Sequence, residues 1–168
     1  MALPKRKSIR LKHYDYSQNG AYFVTICTHQ RECLLGEIVG ATLCGRPNKP
    51  DLLAEKWILE IENKFSNTKI NKYIIMPNHI HLILVMDNKT GDHAGSPLHE
   101  IIDWYKTMTT NEYIRGVKNN LFPPFNKHVW QRGYYEHIIR NEISYNEIWE
   151  YIDTNPLKWE LDCYHTQS

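Results

Sequence analysis

Residues 72–85 read KYIIMPNHIHLILV, two runs rich in aliphatic residues that are separated by Pro77-Asn78. Proline and asparagine favour turns, and a tight connection between two such runs is typical of neighbouring strands. The stretch therefore predicts two strands, Lys72–Met76 and His79–Val85, and the remaining elements can be placed around this pair.

The segment before this pair predicts two more strands and a loop. Ala21–Cys27 is rich in β-branched and aromatic residues and follows the turn signal Asn19-Gly20, which predicts a first strand. Cys33–Val39 predicts a second strand. The glycines and prolines of Gly40–Pro50 then indicate a connecting loop.

Two helices are predicted from apolar residues that recur at helical spacing. The first covers Asp51 to about Phe65, with glutamates on the opposite face. The second follows a polar loop at Asp87–Gly95 and begins at Ser96-Pro97, a typical N-cap and first-turn pair. The apolar positions are Ala54, Ile58, Ile61 and Phe65 in the first helix, and Leu98, Ile101, Ile102, Tyr105 and Met108 in the second.

The C-terminal third predicts a strand and a last helix. Val129–Ile139 has the composition of a strand, weakened at Gly133. Ser144–Glu147 matches a capping box, which predicts a helix over Tyr145–Asn155 that ends before Pro156.

The predicted order is ββαββαβα. If one of the first two strands is accessory, the remainder is βαββαβ, the ferredoxin-like pattern. We therefore expect an α+β fold in which an antiparallel sheet carries helices on one face, with an additional C-terminal helix. The expected organisation is a basic arm at residues 1–14, one domain at 15–160 and a tail at 161–168.

Composition agrees with a single globular domain. The chain has 168 residues, of which 42% are hydrophobic and 23% charged, which excludes a disordered or fibrous protein. No stretch approaches the ~20 apolar residues of a membrane span, and no signal-peptide core follows the basic start. The four cysteines lack metal-site spacing and fit free thiols in a reducing compartment, so we expect a cytoplasmic protein without membrane association.

Positive charge is concentrated at the N-terminus, although the net charge is only +1. Five basic residues precede the first acidic one, so the arm can contact phosphates or can simply be a solvated tail. These residues are Lys5, Arg6, Lys7, Arg10 and Lys12.

His79 and His81 lie two residues apart in an otherwise aliphatic strand, so both imidazoles project to the same face. Such a pair can chelate a metal ion. In a core, each imidazole would need hydrogen-bond partners, and an unsatisfied buried group costs roughly 1–3 kcal/mol. Two ordinary histidines on an exposed strand face explain the pattern equally well.

Tyr151 and Asn155 are four residues apart, which places both on one face of the last helix. A phenol and a carboxamide would then face the same neighbour. A half-buried tyrosine and an asparagine near a helix C-terminus are also commonplace, and the spacing alone favours this structural interpretation.

A third cluster combines cations with aromatic rings around the last predicted strand. Such a mixture suits phosphates and unstacked bases, although a buried strand with surface charges is the alternative. The residues are Trp130, Arg132, Tyr134, Tyr135, His137 and Arg140. The signature motifs of nucleoside-triphosphate, dinucleotide, serine-hydrolase and zincin sites are absent from the sequence.

Three blocks together resemble one family. They are MPNHIHLI at residues 76–83, WQRGYYEHIIR at 130–140 and EYIDTNP at 150–156. In this order they are similar to the single-tyrosine HUH transposases, and specifically to the branch of REP-associated tyrosine transposases. The resemblance extends from Tyr22 through Trp159.

The resemblance implies a ferredoxin-like nuclease that acts on single-stranded DNA. By position, His79 and His81 match the metal-binding pair and Tyr151 matches the nucleophile. Asn155 stands where the insertion-sequence branch more often has Gln as a third metal ligand, and its carboxamide oxygen is of the same type. The implied cofactor is a divalent metal ion, Mg²⁺ or Mn²⁺.

The implied reaction is DNA cleavage and rejoining beside hairpins, at palindromic repeats or transposon ends, through a 5′-phosphotyrosine. The implied assembly is a homodimer. For backbone and base contacts we expect Lys5, Arg6, Lys7, Arg10, Trp130, Arg132 and Arg140.

Two alternative functions remain open from the sequence. One is a protein that binds single-stranded DNA hairpins but has lost catalysis. The other is a small zinc hydrolase built on the same histidines, although no carboxylate stands at a recognisable ligand spacing.

Overall fold

A computed structural model describes residues 19–36, 38–39, 42–43, 50–87 and 98–161. The predicted basic arm, the loop after Asp87 and the Ser96-Pro97 helix start lie outside these residues. The strands are β1 (Gly20–Cys27), β2 (Ile38–Val39), β3 (Thr42–Leu43), β4 (Thr68–Met76), β5 (His79–Met86) and β6 (Tyr135–Ile139). The helices are α1 (Pro50–Lys64), α2 (Leu98–Lys118) and α3 (Glu142–Thr154), with 3₁₀ segments at His29–Arg31 and Asn155–Leu161.

The main sheet is antiparallel and has the strand order β4-β5-β1-β6. Consecutive β4 and β5 form the predicted hairpin, and β1 lies between β5 and the edge strand β6. This order confirms the ferredoxin-like α+β fold. Strands β2 and β3 pair with each other in a separate two-stranded sheet among the residues that the structure describes.

The two faces of the sheet are covered differently. One face packs against α1 and α2 around Val24, Ile58 and Leu82, all fully buried. Full burial of such a side chain contributes about 1.5–3 kcal/mol, so this face holds most of the core. The other face carries a smaller cluster, in which Phe23 and Ile83 meet Ile152 of α3. Among the described helices, none is long and apolar enough to cross a bilayer.

The predicted strand at Cys33–Val39 is wrong over most of its length. Gln30 and Arg31 have positive φ angles of 54° and 60°, which turn the chain after β1. Leu34 and Leu35 then insert into the core as an irregular segment, and the Leu35 N–H donates to the carbonyl of Pro77 (2.9 Å). Their hydrophobicity reflects burial without strand pairing.

The predicted strand at Val129–Ile139 is also too long, since β6 begins only at Tyr135. Trp130 forms a single bridge with Thr28. The carbonyls of Gln131 and Gly133 accept hydrogen bonds from the Lys106 ammonium, at 3.0 and 2.8 Å, which takes these groups out of a strand ladder.

The last helix begins three residues earlier than the capping box predicts. Asn141 is the N-cap, and its Oδ1 accepts a hydrogen bond from the Ser144 N–H (2.8 Å). Ser144 is therefore inside the first turn. At the other end the α-helix finishes at Thr154, and the chain continues as a 3₁₀ segment over Asn155–Leu161. This segment includes Pro156, which cannot supply the next α-helical N–H.

Candidate catalytic site

The β4–β5 hairpin brings His79 and His81 together on the face of the sheet that α3 covers. Both side chains are buried, with 0% and 1% of their surface exposed. Their Nε2 atoms are 3.0 Å apart. Both imidazoles project to one face, as predicted. Because they are buried, the alternative interpretation of two ordinary histidines on an exposed strand face is wrong.

Each imidazole is oriented through its other nitrogen. His79 Nδ1 lies 2.8 Å from Asn78 Oδ1, which can only accept a hydrogen bond, so Nδ1 carries the proton and Nε2 the lone pair. The Asn78 amide donates to the Arg31 carbonyl (3.1 Å), which supports this amide orientation. His81 Nδ1 lies 2.8 Å from Thr25 Oγ1.

The protonation of the pair suits metal binding. Burial, followed by the influence of His79, lowers the pKa of His81 well below its ordinary value, so His81 is neutral near pH 7. The two Nε2 atoms converge to within 3.0 Å of each other. Neutral imidazole nitrogens are ligands for divalent metal ions, so the donor set of the pair suits such a cation.

Tyr151 reaches the pair from α3 of the same chain. Its Oη lies 3.3 Å from His81 Nε2, and its side chain is 41% exposed. The ring packs edge-on against Phe23, at a centroid distance of 6.1 Å. A phenol at the rim beside a buried imidazole pair is open to a large substrate from outside.

Contacts on the β4 side hold α3 in this position. Ile152 is buried against the sheet, and Asp153 forms an ion pair with Lys72 of β4. The same ammonium lies over the Trp149 ring, 4.6 Å from its centroid. These contacts fix the helical face that carries the phenol.

Asn155 follows one helical turn after Tyr151 and is buried, with 3% of its surface exposed. Within the described ranges, no third His, Cys, Asp or Glu joins the histidine pair. A third protein ligand near the pair would therefore be of another type, such as a carboxamide. Trp159, in the 3₁₀ segment that follows, packs on His79 at a centroid distance of 5.9 Å.

The structure describes only some of the residues that are expected to contact DNA, and these differ in their exposure to solvent. Lys5, Arg6, Lys7 and Arg10 lie outside the described residues. Trp130 is 6% exposed and donates its Nε1–H to Thr109 Oγ1 (2.8 Å), so its ring is packed in the core. Arg132 and Arg140 are exposed on either side of β6.

Two residues at the pair were not singled out from the sequence, and a third, Tyr135, was named only as part of the cluster around the last predicted strand. Thr25 and Asn78 orient the imidazoles, and Tyr135 of β6 lies exposed on the same sheet face. Asn78 directly precedes His79, and this adjacency is the signal by which the sequence could have identified it as a partner of the imidazole. Thr25 is 56 residues from His81, and only the strand register brings the two together.

Comparison with known proteins identifies related sequences. The family model of IS200-like transposases matches residues 17–155. An uncharacterized protein of Haemophilus influenzae is 36% identical over 166 residues, which cover 94% of this chain and 91% of that protein. A REP-associated tyrosine transposase of Escherichia coli is 27% identical over 106 residues, covering 58% of this chain and 54% of that protein.

Two solved structures share the fold. A REP-associated tyrosine transposase bound to a REP hairpin aligns with a TM-score of 0.59 at 20% identity, over 89% of this chain and 73% of that one. A Deinococcus radiodurans protein described as a candidate transposase aligns with a TM-score of 0.52 at 16% identity, over 86% of this chain and 97% of that one.

Proposed function

Since this chain belongs to the IS200-like transposase family, we propose that it cleaves and rejoins single-stranded DNA beside hairpins through a covalent bond to Tyr151. The observation that carries the proposal is the 3.3 Å distance between Tyr151 Oη and His81 Nε2. The named Escherichia coli relative, and the likeness to a transposase bound to a REP hairpin, support hairpin DNA as the substrate.

Tyr151 is the nucleophile in this proposal. Its Oη forms a bond to the scissile phosphorus while the bond from phosphorus to the 3′ oxygen breaks. The phenol loses a proton and the departing strand gains one as a free 3′-OH, so protons balance. The product is a 5′-phosphotyrosine, a phosphodiester that a later 3′-OH can attack to rejoin the strand. If water were the nucleophile, no phosphodiester to the protein would form, and the strand could not be rejoined in this way.

His79 and His81, through their Nε2 atoms, and Asn155, through its carboxamide oxygen, would hold a divalent cation, Mg²⁺ or Mn²⁺. When bound, the cation polarises the scissile phosphate and assists loss of the phenolic proton, which ordinarily leaves near pH 10. The chain's own contribution is orientation, because Asn78 and Thr25 hold both imidazoles with their Nε2 atoms converging.

The remaining parts of the proposal concern partners. Arg132 and Arg140 are exposed and suit the phosphates of the DNA strand, and Lys5, Arg6, Lys7 and Arg10 are further candidates in the arm. We propose a homodimer that acts in the cytoplasm. The homodimer is what the resemblance to the single-tyrosine HUH transposases implies, and the transposase family membership supports a location where DNA is accessible.

The test is an adduct assay. A fluorescent DNA hairpin with single-stranded flanks, incubated with the protein and Mn²⁺, is expected to give a covalent protein–DNA band on a denaturing gel. Tyr151→Phe removes the attacking oxygen, so the band should disappear while hairpin binding persists. Tyr145→Phe, a phenol on the same helix that bonds to Asn71, is the matched control and should retain the band.

An adduct that survives Tyr151→Phe would refute the nucleophile assignment. Tight hairpin binding by the wild-type protein without an adduct under any divalent metal would instead identify a binding protein that has lost catalysis.

A further inference from the structure

Tyr135 is an exposed aromatic residue close to the histidine pair, with 44% of its surface accessible. We propose that its ring is a stacking platform for an unpaired nucleobase adjoining the phosphate that Tyr151 attacks. This inference rests on the proposed function and names a binding subsite for its substrate.

The strand register places Tyr135 on the correct face. Tyr135 pairs with Thr25, and Thr25 pairs with His81 on its other side. Side chains at paired positions share a face, and neighbouring strands are about 4.8 Å apart, so Tyr135 starts about 10 Å from His81. A base that adjoins a phosphate at the histidine pair is within reach of this ring.

Phe23 supports the ring from below. Its centroid is 6.5 Å from that of Tyr135, with an edge-to-face angle of 72°. The same Phe23 stacks on His81, at 5.3 Å and 26°, and meets Tyr151 edge-on. Phe23 is only 9% exposed, so it contacts the Tyr135, His81 and Tyr151 rings from the interior. Tyr135 is the residue of β6 in this group, and its ring is exposed to solvent.

The backbone before Tyr135 is held firmly. The Gln131 N–H donates to the Cys27 carbonyl (2.9 Å), and Lys106 binds the carbonyls of Gln131 and Gly133. After Tyr135, β6 pairs with β1. An aromatic residue on such a backbone loses little conformational entropy when a ligand stacks on it, which favours binding.

A nucleobase is the occupant that the surroundings favour. Every base presents a flat π face, and stacking on an aromatic side chain needs no particular base sequence. His137 is exposed two residues further along the same face, Arg140 is exposed directly after β6, and Arg132 is exposed in the connection that precedes it. Polar and cationic neighbours suit the phosphates on either side of a stacked base.

The experiment compares DNA with and without bases. In the Tyr151→Phe background, without divalent metal and at low salt, the Kd is measured by fluorescence anisotropy for two probes. One is a twelve-nucleotide single strand of randomised sequence, and the other is a strand of the same length built from abasic tetrahydrofuran units. Because neither cleavage nor metal is involved, the result is independent of the adduct assay.

We expect the base-containing strand to bind more tightly than the abasic one. Tyr135→Ala should weaken binding of the base-containing strand about tenfold and leave abasic binding unchanged, whereas Tyr135→Phe should retain the preference. Leu59→Ala, which removes an exposed apolar side chain on α1, is the control and should change neither Kd. Equal binding of both probes by the starting protein, or an unchanged preference in Tyr135→Ala, would overturn the inference.

Discussion

Thr25 shows how much the site depends on a single hydroxyl. Its Oγ1 lies 2.8 Å from His81 Nδ1 in a buried position. Thr25→Val removes this hydroxyl from His81 Nδ1, and loss of such a partner behind a metal-ligating histidine typically lowers metal affinity 10- to 100-fold. We therefore expect Thr25→Val to bind Mn²⁺ about 10- to 100-fold more weakly than the wild-type protein, measured by isothermal titration calorimetry without DNA.

Thr25→Ser is the matched control for this prediction, since it keeps the hydroxyl and should keep most of the affinity. An Mn²⁺ affinity of Thr25→Val equal to that of the wild-type protein would show that Thr25 does not orient a metal ligand.

At the residue scale, the sequence was most informative where chemistry was local. The spacing of His79 and His81 predicted a shared face because strand periodicity is a local property. The resemblance then singled out Tyr151, and the structure brings its phenol to the pair. Thr25 was missed because its partner is set by strand register. The DNA contact expected of Trp130 stays a prediction, and the burial of its ring was not visible from the motif.

Lys106 links two elements, α2 and the connection that enters β6. Burial lowers the pKa of its ammonium to about 8, although the charges of Asp103 and Cys27 act in the opposite direction. A neutral amine still has two N–H groups for the carbonyls of Gln131 and Gly133. The link therefore remains possible after the proton is lost.

This shift predicts a pH dependence of stability. Between about pH 8 and pH 10 the unfolded chain keeps the Lys106 proton and the folded chain has released it, so the free energy of unfolding rises with pH. Relative to Lys106→Met, the wild-type protein should gain about 2 kcal/mol over this window in urea unfolding. Lys118→Met, at the exposed end of α2, is the control and should follow the wild-type pH dependence. A pH-independent difference between wild type and Lys106→Met would contradict the prediction.

At the element scale, strongly periodic segments were predicted well. The α1 and α2 helices and the β4–β5 hairpin are present as predicted, because helix and strand periods differ clearly over such lengths, although β4 begins at Thr68 and not at Lys72. The predicted strand boundaries were wrong where tertiary contacts replaced local ones. Leu34 and Leu35 are apolar because they enter the core, and Lys106 takes the carbonyls that a longer β6 would have used.

At the scale of the whole molecule, the histidine pair and the phenol come from one chain. A dimer of such chains would hold two separate sites. We therefore expect that mixing Tyr151→Phe protein with His81→Gln protein restores no DNA adduct, because each chain lacks one half of its own site. A mixture of wild-type and Tyr151→Phe protein should form adduct in proportion to the wild-type share. Recovery of adduct in the first mixture would show that α3 exchanges between subunits.

The overall topology was predictable because the βαββαβ order permits few compact arrangements, and the observed strand order is the ferredoxin-like one. The position of α3 on the second face was not predictable from order alone. It depends on a small cluster around Ile152 and on the contacts of Lys72 with Trp149 and Asp153.

The contrast in burial between Tyr151 and the two histidines has an evolutionary consequence. The phenol is 41% exposed at the rim, whereas His79 and His81 are packed into the interior. From this difference in burial we expect replacement of an imidazole to destabilise the fold more than removal of the phenol. A lineage that no longer benefits from cutting DNA would therefore lose the rim residue first. Under the proposed function, its descendants would keep the scaffold and the histidine pair and lack the phenolic oxygen of Tyr151.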